Sequence, residues 1–375
     1  MSKGSPFMTV NDVHRLISSW APPDIAWEKD NIGLQIGDMN AAVKGILVSL
    51  DVTPNVVAEA ARRKANLIVS HHPLLFRPPR SITTQDEVGR CIRALVERNI
   101  NLYAAHTNLD FTRGGTSFAI AEALELQNVE FLHTTYRVQK KIVTFVPEQH
   151  VDAVRNAMAL AGAGVIGNYD HCSFGTAGRG SFRGNENTSP AIGAKGRLEN
   201  TTEIRLEMVV NQWDVPKVVT ALREAHPYEE VAYDLYPLDN VSSEFGMGIV
   251  GTLKRPMRVR AFLEFVKKRL KVGGLRRGGS NNTMIRSVAA CGGSGAELAD
   301  AAVARGADAF ITADVKYHDF HHAHGNILLI DAGHYETERP VVDAVVKRLK
   351  HEFHAKGITL PVAATHITTN PVSYF

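Results

Sequence analysis

The sequence predicts an α/β protein: a two-half α/β domain with a ferredoxin-like α+β domain inserted between the halves. Three observations predict it. Short apolar runs alternate with helical segments from Val43 to Leu126, the pattern of a parallel or mostly parallel sheet covered on both faces. The same alternation returns after Ile285. Between about Val138 and Leu238 the order changes to β-α-β-β-α-β, the signature of a small ferredoxin-like unit. These passages set the first half at 8–130, the insert at 138–240 and the second half at 245–375.

The elements follow in order. Val10, Val13, Leu16 and Ile17 recur at helical spacing, with Asn11 and Asp12 suited to the first turn. VKGILVSLDV from Val43 reads as a buried strand, Pro54 starts a helix through Ala61, and ANLIVS from Ala65 is a second strand. A Pro-rich loop, a helix from about Gln85 to Glu97, the strand NLYAAH from Asn101 and a helix containing Phe118 to Leu126 complete this half. In the insert, KIVTFV, a helix VDAVRNAMALAG, a Gly/Ser/Asn-rich stretch from Gly175 to Gly196, EIRLEMVV, a helix PKVVTALREA and VAYDLYPL succeed one another. The second half runs IRSVAACGG, a helix from Ala296 to Arg305, ADAFITAD, a short helix, NILLID and a helix from about Glu336. The opening MSKGSPF has turn-forming composition and stands outside the fold argument.

Composition narrows the function classes. With 42 Lys plus Arg against 39 Asp plus Glu, the net charge of +3 gives no global field for nucleic acid or membrane surfaces. Nucleic-acid binding would rest on a local patch. Cys91, Cys172 and Cys291 form no CxxC pair and no disulfide framework, so they read as core packing in a reducing compartment. No membrane-length apolar run and no export signal pattern is present. The expected location is the cytoplasm.

Histidine placement carries the chemistry. Of 16 histidines, three fall between His71 and His106 and five between His318 and His334. In open α/β sheets the ligand crevice lies beyond the carboxyl ends of the strands. His71-His72-Pro73 sits at such an end, and both rings can converge only if the strand has stopped before them. AAHTNLDFT places His106 and Asp110 beyond the next strand, and DAGHYETE gives His334 and Glu338 the i, i+4 spacing of one helix face. Either pair alone reads as an ordinary structural or solvated pair; three strand ends so furnished point to a metal site. Imidazoles mixed with carboxylates suit zinc, manganese, iron or cobalt better than calcium or magnesium.

WEKDNIGLQIGD from Trp27, SHHPLLF from Ser70, AHTNLDF from Ala105, PYEEVAYDLYPL from Pro227, FGMGIVGTL from Phe245, ITADVKYHD from Ile311 and LIDAGHYETE from Leu329 are similar, in order, to motifs of the Nif-three-like family. Bacterial members are often labelled GTP cyclohydrolase 1 type 2 homologues. The resemblance implies a dinuclear divalent-metal site in the two-half α/β domain, with His71, His72, Asp110, His334 and Glu338 as ligands. It further implies that Glu338 bridges, with His72 and Asp110 on one ion and His71 and His334 on the other. Asp314 and His318 match positions that orient ligands, and a toroidal homohexamer is the implied assembly.

Two ions sharing a carboxylate suit hydrolysis by metal-activated water. The expected substrate is a nucleotide or a related phosphorylated or cyclic amide metabolite. His106, an imidazole that titrates near working pH, or else Glu336 would move the proton, and Glu336 reads first as a first-turn helix carboxylate complementing the dipole. The other function class is a non-catalytic, metal-dependent regulatory or scaffold hexamer that binds a partner protein, a small effector or nucleic acid. No P-loop is present. The segment from Lys271 to Asn282, with Arg276, Arg277 and several glycines, reads either as a solvated basic loop or as a phosphate cradle. The His-Pro-Tyr-Glu-Glu run at His226 reads as a loop into a strand or as a second site.

Overall fold

The computed structural model of the chain describes residues 8–134, 137–279 and 283–374. Its strands are β1 (Gly33–Ile36), β2 (Ile46–Ser49), β3 (Leu67–Ser70), β4 (Asn101–Ala104), β5 (Gln127–His133), β6 (Gln139–Pro147), β7 (Ser173–Arg183) and β8 (Leu198–Asn211), then β9 (Tyr233–Pro237), β10 (Met247–Arg258), β11 (Arg276–Gly278), β12 (Met284–Ser294), β13 (Ala309–Ala313), β14 (Leu328–Asp331) and β15 (Val362–Ala364). They form three sheets. The chain up to Thr134 together with the chain from Ser243 onward makes one compact unit, and the segment between makes a second.

The first sheet runs β1-β4-β3-β2-β15, with β2, β3, β4 and β15 parallel and β1 antiparallel at the edge. Strands β2, β3 and β4 are buried along their whole length, because alternate residues face opposite layers. Ile46, Val48, Leu67 and Val69 pack with the helices Val10–Trp20 and Pro340–Ala355. Leu47, Ile68 and Leu102 pack with Pro54–Arg62 and Glu87–Glu97. Each fully buried aliphatic side chain contributes roughly 1.5–3 kcal/mol. The helix Val10–Trp20 opens on a capping box, in which Asp12 N–H donates to Thr9 Oγ1 at 3.2 Å and Thr9 N–H to Asp12 Oδ2 at 2.8 Å. Those bonds hold the Asp12 carboxyl below its ordinary pKa.

The second sheet, β11-β14-β13-β12-β10-β5, is mixed rather than mostly parallel. Only β12, β13 and β14 run parallel; β10, β5 and β11 are antiparallel additions. β10 and the helix Val259–Leu270 after it are elements the periodicity reading passed over. Strands distant in sequence pair within this unit. β5, before the second unit, pairs with β10, after it, while β15 returns from the chain's last stretch to pair with β2.

The unit between Thr134 and Ser243 has one antiparallel sheet, β7-β8-β6-β9, in the element order β-α-β-β-α-β. Val154, Met158, Val218 and Leu222 of its two helices cover one face through Ile142, Val146, Leu206 and Met208. The Gly/Ser/Asn-rich stretch proves half strand: β7 is almost wholly exposed and is held by an eleven-residue register with β8. Among the described residues, no helix is long and apolar enough to cross a membrane. Cys91 is buried in the core, and burial pushes its thiol up to about 11.

Candidate metal centre

The strand β3 ends at Ser70, and His71 and His72 follow it as bent chain, their N–H groups still donating to Ser49 and Leu50 of the neighbouring segment at 3.1 and 2.9 Å. Freed from strand alternation, the two rings lie 5.1 Å apart. His106 stands at the N-terminus of the short helix Thr107–Asp110, directly after β4. Its ring is 5.3 Å from that of His71 and 5.5 Å from that of His72. From the second sheet, β14 leads through Gly333, at a φ of 83°, into the helix His334–Glu338. There the His334 ring comes within 5.5 Å of His72. Residues that are distant in sequence therefore meet beyond the carboxyl ends of β3, β4 and β14.

Each imidazole is held from behind. His71 Nδ1 lies 2.9 Å from Ala105 O, His72 Nδ1 2.7 Å from Asp51, His106 Nδ1 2.8 Å from Asp30, and His334 Nδ1 2.6 Å from Asp314. An acceptor on Nδ1 fixes the tautomer whose Nε2 carries a free lone pair, the usual arrangement behind a metal-ligating histidine. Of these four anchors, only Asp314 was legible in the sequence as an orienting group. His318 lies instead against Tyr317, with ring centroids 5.4 Å apart. Asp30 also accepts from Thr107 N–H at 3.0 Å and from its hydroxyl at 2.5 Å. Burial alone would raise the Asp30 pKa, but the bonds from His106 and Thr107 hold it down at about 2.

In front of the rings the polar groups are short of partners. Among the described residues, His71 Nε2, Asp110 Oδ1 and Glu338 Oε2 are buried side-chain atoms without a hydrogen bond. Glu338 Oε2 lies 2.9 Å from His72 Nε2 and 3.1 Å from His334 Nε2, off the hydrogen-bond axis of either ring. His71 Nε2 is 3.5 Å from Asp110 Oδ1 and 3.9 Å from Glu338 Oε1. Such orphaned buried atoms are costly unless something binds them, and imidazoles facing carboxylates are a donor set for a cation. Gly293, at the end of β12, completes the cradle: a Cβ there would stand 2.3 Å from Glu338 Oε1 and 3.2 Å from His334 Nε2. The side chains present thus fit a divalent metal.

Two overlapping groups have ligand atoms within 4.8 Å of one another: His71, His72 and His106, and His72, His334 and Glu338. His72 belongs to both groups. His71 sits beside Asp110 and His106, and His72 beside His334, with both His71 and His72 within reach of Glu338.

Electrostatics matches this crowding. Burial would raise the Glu338 pKa, yet His334, His71 and His72 drive it well below the carboxylate range. Burial would lower His72, but Asp51 and Glu338 lift it to about 10. Contact with Glu338 raises His334 to about 9. Asp110 moves upward because burial outweighs its cationic neighbours.

A cavity of about 510 Å3 opens onto His72 and His334. Its wall includes Glu336, whose Oε1 accepts from Asn370 at 3.0 Å, and Tyr374. The basic glycine segment reaches the same cavity through Gly274 and Arg276, although 280–282 lie outside the described residues. The Arg276 guanidinium is committed to Asp331 and to Val315 O.

The sequence profile of the family Duf34/NIF3 (NGG1p interacting factor 3) matches residues 8–371. The chain belongs to the DUF34/NIF3 family. A protein of Halalkalibacterium halodurans named GTP cyclohydrolase 1 type 2 homolog is 40% identical over 364 residues, 96% of this chain and 98% of that relative. Its Bacillus subtilis namesake is 39% identical over 362 residues, 96% and 97% of the two chains. Among solved structures, a Bacillus cereus protein related to NIF3 is similar at 40% identity and a TM-score of 0.88, covering 99% of this chain and 100% of that one. The Staphylococcus aureus protein SA1388 is similar at 29% identity and a TM-score of 0.79, with the same coverage.

Proposed function

We propose that this DUF34/NIF3 protein is a metal-dependent hydrolase acting on a nucleotide or a related phosphorylated or cyclic amide metabolite. The observation that carries the reading is the convergence of four back-anchored imidazoles on buried carboxylate oxygens that lack partners, beside a substrate-sized cavity. His71, His106 and Asp110 would hold one divalent ion and His72 and His334 a second, with Glu338 between them. Zinc, manganese, iron and cobalt suit this N/O set. When bound, such ions supply Lewis acidity toward a carbonyl-like or phosphoryl centre and an acidified water.

The chain's own residues do the rest. Ala105 O, Asp51, Asp30 and Asp314 keep the rings from turning. His106 then serves the ion, and Glu336 is the cavity carboxylate that exchanges a proton with bound substrate. The relatives' name, GTP cyclohydrolase 1 type 2 homolog, is consistent with a nucleotide substrate. The unit between Thr134 and Ser243 is proposed as an inserted ferredoxin-like domain, supported by its element order and strand order. A cytoplasmic homohexamer is the proposed working form.

The test is hydrolysis of a panel of nucleotides, pterin precursors and phosphoesters by metal-reconstituted protein and by Glu338→Ala. Metal-dependent turnover that the variant loses supports the proposal. Metal binding without turnover of any compound rejects the hydrolase and favours the scaffold.

A further inference from the structure

A second cavity, of about 610 Å3, lies wholly within the unit between Thr134 and Ser243. Its floor is the sheet face turned away from the two helices. Cross-strand partners share a face, so Phe145, Arg205 and Thr176 form one row and Glu203 and Gly178 the next. Ile142 and Met208, on the opposite face, pack under the helices. Phe182 and Tyr228, with rings 5.9 Å apart, stand at the side. Gly184, Thr188, Pro190 and Ala191 also line it, and the neighbouring Ser189 N–H donates to Glu229 at 2.9 Å.

Glu203 is the unusual member. It is 8% exposed, and it shares the cavity with Phe145, Phe182 and Tyr228 and with the arginines Arg179 and Arg183 of β7. The Tyr228 hydroxyl donates to its Oε1 at 2.8 Å. Its Oε2 lies across Gly180, where a Cβ would stand 2.1 Å away, and the carboxylate lines the cavity. Arg205, the nearby guanidinium on this face, donates to Glu207 at 2.8 Å and lies 5.9 Å from the Phe145 ring centre. A carboxylate lining a cavity offers acceptor sites to a donor bound there. Aromatic rings around it call for a flat, polarisable partner.

We propose that this cavity binds a planar nitrogen heterocycle through an edge bearing two adjacent N–H donors, as guanine does, seated on Glu203 and flanked by Phe145, Phe182 and Tyr228. Each carboxylate oxygen has two acceptor sites, so Oε2 and the second site of Oε1 can take the paired donors while the Tyr228 hydroxyl keeps its bond. The glycines of β7 leave the floor free of side chains. Gly178 in particular has open space: a Cβ there would meet no atom nearer than 3.9 Å.

Calorimetric titration of the full chain with guanosine, inosine and adenosine tests this. Guanosine is expected to bind, with inosine, which lacks the second donor, and adenosine each weaker by about tenfold or more. Glu203→Gln should weaken guanosine by about tenfold or more. Gly178→Val, which fills the floor at a strand position, should abolish binding with metal content unchanged. If Gly178→Val fails to fold, Glu203→Gln and the nucleoside ranking still decide. The proposal is overturned by no guanosine binding up to millimolar concentration, by equal binding of the three nucleosides, by guanosine binding that both folded variants retain, or by arginine binding more tightly than guanosine.

Discussion

Asp30→Asn perturbs the site without touching the atoms in front of the rings. The Asp30 side chain is 1% exposed and serves three donors: His106 Nδ1–H, Thr107 N–H and the Thr107 hydroxyl. Its pKa is lowered from 3.8 to about 2. A depressed carboxylate pKa contributes stability that is present above the unfolded value and is lost as pH falls through the folded one. At roughly 1.4 kcal/mol per pH unit of that difference, Asp30 contributes about 2.5 kcal/mol at neutral pH. Asparagine presents one acceptor and an unwanted N–H2 group, so at least one donor is left unpaired. Metal-free Asp30→Asn should therefore melt about 3–5 °C below the parent at pH 7. The gap should narrow as pH falls from about 4 toward 2, where the parent loses its ionised carboxylate. Metal affinity should drop about 10- to 100-fold, because the His106 ring is no longer anchored. Thermal melts of both proteins in chelator across that pH range, followed by metal titration at pH 7, make the check. Equal melting temperatures at pH 7, or a gap that ignores pH, refute the role assigned to Asp30.

Three further outcomes are expected. Gly293→Ala places a methyl 2.3 Å from Glu338 Oε1 at a residue whose φ is 62°, so it should cost about 1–3 kcal/mol and reduce metal occupancy, both read by melting with and without added zinc. Glu59, 4% exposed, accepts from the Thr365 hydroxyl and from His366 N–H at 3.1 Å, and pairs with Arg63 at 3.1 Å. Glu59→Gln should destabilise by about 1.5–3 kcal/mol in urea titration at pH 7; because these bonds outweigh burial and lower the Glu59 pKa from 4.5, the difference should shrink as pH falls below that value. Metal removal by chelator should lower the melting temperature of the parent, more at higher free-metal saturation beforehand, and leave that of Glu338→Ala unmoved.

The candidate cluster is legible in the sequence where local chemistry marks it. His71, His72, His106, Asp110, His334 and Glu338 all stand at strand ends, where an apolar run stops and a polar pair begins, and the structure brings all six together. The anchors were not legible. Asp30 lies 76 residues before His106, and Asp51 lies 21 before His72; no periodicity links such pairs, although Asp30 sits inside the WEKDNIGLQIGD motif. Gly293 gives no chemical signal at all, since it acts by leaving room for Glu338.

The same contrast runs through the fold. Fully apolar strands such as Leu67–Ser70 and Ala309–Ala313 announce themselves. β7 does not, because its exposed, glycine-rich residues carry no alternation and its conformation comes from pairing with β8. The pairing of β5 with β10 and of β15 with β2 depends on partners more than a hundred residues away, beyond any window of sequence pattern.

The central claim is that the histidine and carboxylate cluster holds divalent metal. The most direct measurement is metal stoichiometry by elemental mass spectrometry on the reconstituted, desalted full chain and on Glu338→Ala folded to the same extent. The account predicts about two ions per chain in the parent and fewer than about one in the variant. A parent that retains no divalent ion, or a variant that retains as much as the parent, would contradict it.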